Sequence, residues 1–76
     1  MTTAYVLIQF GVADGEAALA EIRKIAGVKQ AHALLGPVDI IAVVEVADQK
    51  SLIDTVMKIR KVKGVASNDT RLAWPF

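Results

Sequence analysis

An α+β sandwich of element order β-α-β-β-α-β is the fold class this sequence predicts, and three observations predict it. The first is an internal repeat. Ile22-Arg23-Lys24-Ile25-Ala26-Gly27-Val28 returns 37 residues later as Ile59-Arg60-Lys61-Val62-Lys63-Gly64-Val65, and Leu19 and Leu35 fall on Val56 and Leu72. The second is what each copy contains: a helical pattern, a glycine that closes it, and the entry to a strand, with an apolar strand before each helix. The third is length, since 76 residues make one domain. A β-α-β unit used twice in so short a chain is the sequence form of the split β-α-β, or ferredoxin-like, sandwich.

The elements follow in order. Residues 5–12 form a first strand, with Val6, Ile8 and Phe10 on one face and Tyr5, Leu7 and Gln9 on the other. A helix starts at Asp14-Gly15, with Asp14 as N-cap. Its apolar stripe is Ala18, Leu19, Ile22, Ile25 and Ala26, and Gly27 takes the left-handed conformation that ends it. Residues 28–35 are a second strand, broken by Gly36-Pro37. Residues 38–46 are a third, a β-branched run suited to a sheet centre. Asp48 or Ser51 caps the second helix, and Ser51 with Asp54 resembles a capping box. That helix buries Leu52, Val56, Ile59 and Val62 and stops at Gly64, and residues 65–74 form the last strand. Right-handed crossovers place the first and third strands in the middle of a four-stranded antiparallel sheet, with both helices on one face.

Hydrophobic residues make up 54% of the chain. With the five glycines added, the apolar share exceeds the roughly 45–50% of average globular proteins. There are no cysteines to brace a domain this small. Two helices cover one side of the sheet, yet Tyr5, Leu7, Ile41 and Val43 alternate onto the other. Such a patch exceeds the few hundred Å² that soluble monomers usually expose. A homodimer through the open sheet face is therefore expected, gaining roughly 25 cal/mol per Å² of apolar surface it buries. A net charge of +1 offers little reason for nucleic-acid binding. The N-terminal residues lack the pattern of a signal peptide and no run is long enough to span a membrane, so a cytoplasmic protein without membrane partners is expected.

Few residues invite chemistry. His32 is the single histidine, and without a second histidine or a cysteine no metal site is expected. It reads as a surface or interface imidazole, as a ligand contact, or as a general base. Asp39 sits against the most apolar stretch of the chain, where a carboxylate needs a partner. It is either an anchor for the Gly36-Pro37 turn or a receptor for a ligand amine. Lys58, Arg60, Lys61 and Lys63, like Arg23 and Lys24 in the first copy, suit the negative end of a helix. Neither Ser51 nor Ser67 lies in a nucleophile pattern, so no catalytic residue, no cofactor and no enzyme activity is expected.

The repeat, the Gly36-Pro37-Val38-Asp39 turn and the final Gly64-Val65 strand with Thr70 together resemble the ligand-binding (regulatory, RAM-type) domain of the Lrp/AsnC family. The family's markers are met by Ile25-Ala26-Gly27-Val28, by Gly36 to Asp39, by Gly64-Val65 and by Thr70, over residues 4–74. In that family the domain follows a DNA-binding helix-turn-helix. Here the expectation is a single domain over residues 1–76 without one, and hence no direct DNA binding. The resemblance implies sheet-to-sheet dimers assembling further, commonly to octamers, with an amino-acid effector between dimers. It also implies Gly36, Asp39 and Thr70 as ligand-binding positions, to which His32 and Pro37 are added as neighbours. One reading of the function is amino-acid sensing that modulates full-length Lrp/AsnC regulators by mixed assembly. The rival readings are a small dimeric α+β-barrel enzyme of the monooxygenase or isomerase type and an ACT-like regulatory module. The compact Ala17, Ala18, Ala20 and Ala26 favour close helix–sheet packing, and so a site at an interface over an internal enzyme pocket.

Overall fold

A computed structural model describes residues 1–11, 15–35 and 38–73. Its elements are β1 (Thr2–Phe10), α1 (Gly15–Arg23), β2 (Val28–Ala33), β3 (Ile40–Val46), α2 (Gln49–Arg60) and β4 (Val65–Leu72). The four strands form one sheet of order β2-β3-β1-β4, antiparallel at every pairing. This is the ferredoxin-like sandwich, with β1 and β3 in the centre.

The period-2 pattern of the central strands decides which side chains meet the helices. Ala4, Val6 and Ile8 of β1 and Ile40, Ala42 and Val44 of β3 are fully buried, as are Ile22 of α1 and Ile59 of α2. Ala18 of α1, Ala31 of β2 and Leu52 of α2 complete that layer. The small residues among them let backbones approach closely, and the isoleucines fill the space between. Ile22 and Ile59 occupy equivalent places in the two copies, so the repeat visible in sequence supplies one anchor per helix.

The repeat extends to backbone conformation. Gly27 and Gly64 have φ of 98° and 99°, the left-handed region that glycine enters without strain. Before each of them the helix tightens. The N–H groups of Lys24, Ile25 and Val28 donate to Glu21, Ile22 and Ile25, and those of Lys61, Val62 and Val65 donate to Lys58, Ile59 and Val62. These three-residue steps end α1 at Arg23 and α2 at Arg60, earlier than an unbroken 3.6 period would. Ala26, expected on the buried stripe, is consequently exposed. A Cβ on Gly27 would lie 3.0 Å from both Thr55 Oγ1 and Val46 Cγ1, so the close approach of this turn to α2 excludes other residues as well.

Asp48 caps α2, its Oδ1 accepting the Ser51 N–H at 2.8 Å. Ser51 therefore lies inside the helix and does not head a capping box with Asp54. The Ser51 backbone bond holds the Asp48 carboxyl below its ordinary range. Its contribution to the helix start is accordingly present above the ordinary carboxylate range and lost as pH falls through the lowered value. Asp14, the expected cap of α1, lies outside the described residues.

The strand ends also differ from the sequence pattern. β1 begins at Thr2 and stops at Phe10, where its pairing with β4 shifts register after Gln9. β2 ends at Ala33 and β3 begins only at Ile40, with Leu34 and Asp39 still joined by a backbone bond beyond the paired ends. β4 stops at Leu72, its ladder closed by the Ala73 N–H donating to Thr3.

Candidate functional site

The sheet face opposite the helices can be read from the strand register. One row across it runs His32, Ile41, Leu7, Asp69, and the next runs Gln30, Val43, Tyr5, Arg71. The two central strands contribute apolar side chains to both rows and the edges contribute polar ones. Leu7, Ile41 and Val43 are half-buried, and Tyr5 is 43% exposed. On the β4 edge the Arg71 guanidinium meets Asp69 Oδ2 at 2.8 Å, and the carboxylate raises the Arg71 pKa through that hydrogen bond. An apolar centre within a polar rim is the anatomy of a protein interface.

Asp39 is stitched into the end of the sheet nearest the start of α1. Its Oδ2 accepts the Phe10 N–H at 2.8 Å. Its own N–H donates to the Ile8 carbonyl at 3.0 Å, and its carbonyl accepts the Leu34 N–H at 2.8 Å. The half-buried carboxylate thus satisfies the β1 backbone where the ladder slips, which answers the cost of placing it beside apolar strands. Among the described residues only Oδ2 has a partner, which leaves Oδ1 to accept from a ligand.

Thr70 pairs with Val6, and so lies on the helix side of the edge strand. Its Oγ1 is buried and has no partner among the described residues. His32 pairs with Ile41 on the other edge strand and is exposed on the open side. Three strand spacings, about 14 Å, separate β2 from β4, and the two side chains leave opposite faces. One protomer does not bring His32 and Thr70 to one ligand. Gly36 and Pro37 lie outside the described residues.

A shallow hollow of about 540 Å³ beside β2 is lined by Arg23, Val28, Lys29, Gln30, Ala31 and His32. Arg23 shapes it by donating through Nε and Nη2 to the Ala31 carbonyl, at 3.0 and 2.8 Å. The macrodipole reading of Arg23 missed this bond, which pins the end of α1 to the edge strand. Thr55 was also missed. Its buried hydroxyl donates to the Ser51 carbonyl at 2.9 Å and lies 3.5 Å from the Ala26 carbonyl. The signal available was its place in the repeat, opposite the buried Ala18. Among the described residues no group of three or more His, Cys, Asp or Glu could hold a metal ion, and no helix is long and apolar enough to cross a membrane.

The sequence pattern described as the Lrp/AsnC ligand binding domain matches residues 3–74. No curated protein matches the chain at a significant level. Among solved structures, TTHA0845 from Thermus thermophilus is similar at 30% identity and TM-score 0.91, over 100% of this chain and 96% of that one. The hypothetical protein PHS023 from Pyrococcus horikoshii is similar at 26% identity and TM-score 0.88, over 100% and 93%. The transcriptional regulator NMB0573 from Neisseria meningitidis, solved as a complex with L-Met, shares the fold at 18% identity and TM-score 0.84. It is matched over 96% of this chain and 49% of its own, so this chain spans about half that regulator's length.

Proposed function

We propose an amino-acid-sensing role for this chain, which belongs to the Lrp/AsnC ligand-binding domain family. In this reading the protein is a non-enzymatic homo-oligomer that dimerises through its open sheet face and assembles further. An amino acid binds where dimers meet, and the assembly acts on full-length regulators of the family by mixing with them. The observation that carries the proposal is the open face itself, an apolar centre built from Tyr5, Leu7, Ile41 and Val43 inside a polar rim. Burial between two copies gives that surface a use. The placement of His32 and Thr70 on opposite faces supports a ligand site completed by more than one protomer. The L-Met complex of the regulator from Neisseria meningitidis supports an amino acid as the class of ligand. The enzyme alternative requires a chamber between sheet and helices, a space that Ile8, Ile22, Ile40, Ile59, Val6 and Val44 fill.

Asp39 gives this reading a residue-level test. An α-ammonium group on Oδ1 would leave the Phe10 bond on Oδ2 intact. Asp39→Asn keeps an oxygen for the Phe10 N–H and removes the charge. Affinity for the amino acid should fall by roughly tenfold to a hundredfold, the loss of one charge-assisted hydrogen bond of about 1.5–3 kcal/mol, with melting temperature nearly unchanged. Calorimetry and thermal melting on one preparation check this. A lowered melting temperature with unchanged affinity would reject the ligand role and leave Asp39 as a strand anchor.

A further inference from the structure

The two copies of the repeat differ in charge along one groove, and the difference is directional. In the first copy Glu21 pairs with Lys24 at 3.5 Å, three residues apart on the helix. The equivalent positions in the second copy are Lys58 and Lys61, so an attractive pair has become a repulsive one. Ala26 is likewise replaced by Lys63. Lys58 and Lys61 both suit the C-terminal end of α2, whereas Lys63 lies beyond the helix and adds a third like charge. Lys58, Lys61 and Lys63 line one hollow of about 520 Å³ between the helices, with Glu21, Ile25 and Val62. Ile25 and Val62 are half-buried and form an apolar floor packed on the core. Among the described residues none of the three lysines makes an ion pair, and Glu21 is shared with Lys24. The hollow is on the helix side, and stays open when the opposite sheet face is covered.

From these observations we infer that the groove between α1 and α2 is a second binding site, for a small organic polyanion. The ligand carries phosphate groups on an apolar or aromatic body. The phosphates meet Lys58, Lys61 and Lys63, and the body lies on Ile25 and Val62. The lining spans residues 58–63 of one segment and 21–25 of the other, each about 6–8 Å at helical rise. That length suits a nucleotide-sized ligand and is too short to seat a two-turn peptide helix. The site is independent of Asp39 and of the amino-acid reading.

ATP and tripolyphosphate are the probes, titrated calorimetrically against the whole protein at physiological salt. ATP should bind saturably and more tightly than tripolyphosphate, which carries three phosphates without the body. The variant Lys58→Glu with Lys63→Ala restores the charge pattern of the first copy, including a Glu–Lys pair with Lys61. It trades the macrodipole contribution of Lys58 for an ion pair with Lys61, so the melting temperature should be nearly unchanged, while ATP binding weakens about a hundredfold, the equivalent of two lost charge-assisted contacts. Should that variant fail to fold, Lys61→Gln is the substitute, with a loss of about tenfold. No saturable ATP binding by the wild-type protein, or equal affinity in the variants, would overturn the site. Equal affinity for ATP and tripolyphosphate would overturn the role given to Ile25 and Val62.

Discussion

Replacing Leu7 by aspartate should convert the proposed dimer to a monomer. Leu7 sits at the middle of the open face, between Ile41 on β3 and Asp69 on β4. The substitution places a carboxylate in the apolar centre and next to an existing negative charge, once from each copy. An unpaired charge taken out of water costs several kcal/mol even after relaxation. At 1.4 kcal/mol for each factor of ten, dimer affinity should fall by about a thousandfold or more. The isolated protomer should still fold, because Leu7 is half-exposed in it and points away from the core. Its melting temperature should drop, since association no longer stabilises the folded state, and should lose its dependence on concentration. Sedimentation of the variant beside the wild type checks the first expectation, and melting at several concentrations checks the second. Val43→Asp, which places its charge opposite Tyr5, should behave alike.

Ile22→Ala should produce a large loss of stability in the protomer. Ile22 is fully buried, and only it and Ala18 are buried in α1. A nine-residue helix has little stability of its own, so α1 depends on Ile22 and the Arg23–Ala31 bonds to stay on the sheet. Truncation of a buried isoleucine to alanine costs about 2–5 kcal/mol. In a domain of this size each kcal/mol lowers the melting temperature by roughly 4–8 °C, so a drop of about 10 °C or more is expected. Ile53 is the contrast. It is 57% exposed on the outer side of α2, and its change to alanine should alter stability by less than about 0.5 kcal/mol. Thermal melting of the two variants separates burial from hydrophobicity as the cause; similar losses would contradict the packing described.

The fold was legible in the sequence because the repeat is more than compositional. It recurs as the same tightened turn, the same positive φ and the same buried isoleucine in both halves. What the pattern hid were the places where backbone geometry departs from regular period. The stripe through Ala26 is a continuous helix on paper, yet three-residue bonds end the helix at Arg23 and turn Ala26 outward. Thr55 reads as a polar interruption until its hydroxyl is seen returning to the Ser51 carbonyl. For the candidate site, alternation shows which residues share a face along one strand, and so His32 could be grouped with Gln30. It does not show which faces of distant strands coincide. Register alone places His32 with Leu7 and Thr70 with Val6. The partner of Asp39 was hidden for a similar reason: the Phe10 N–H comes from a strand 29 residues earlier, and nothing local to the turn announces it.

The most direct test of an amino-acid-sensing oligomer is a calorimetric titration of the wild-type protein with each of the twenty amino acids. Sedimentation is recorded with and without each one. Saturable binding of at least one amino acid by an assembly of dimers or larger is the predicted result. A stable monomer at micromolar concentration that binds none of them would contradict it.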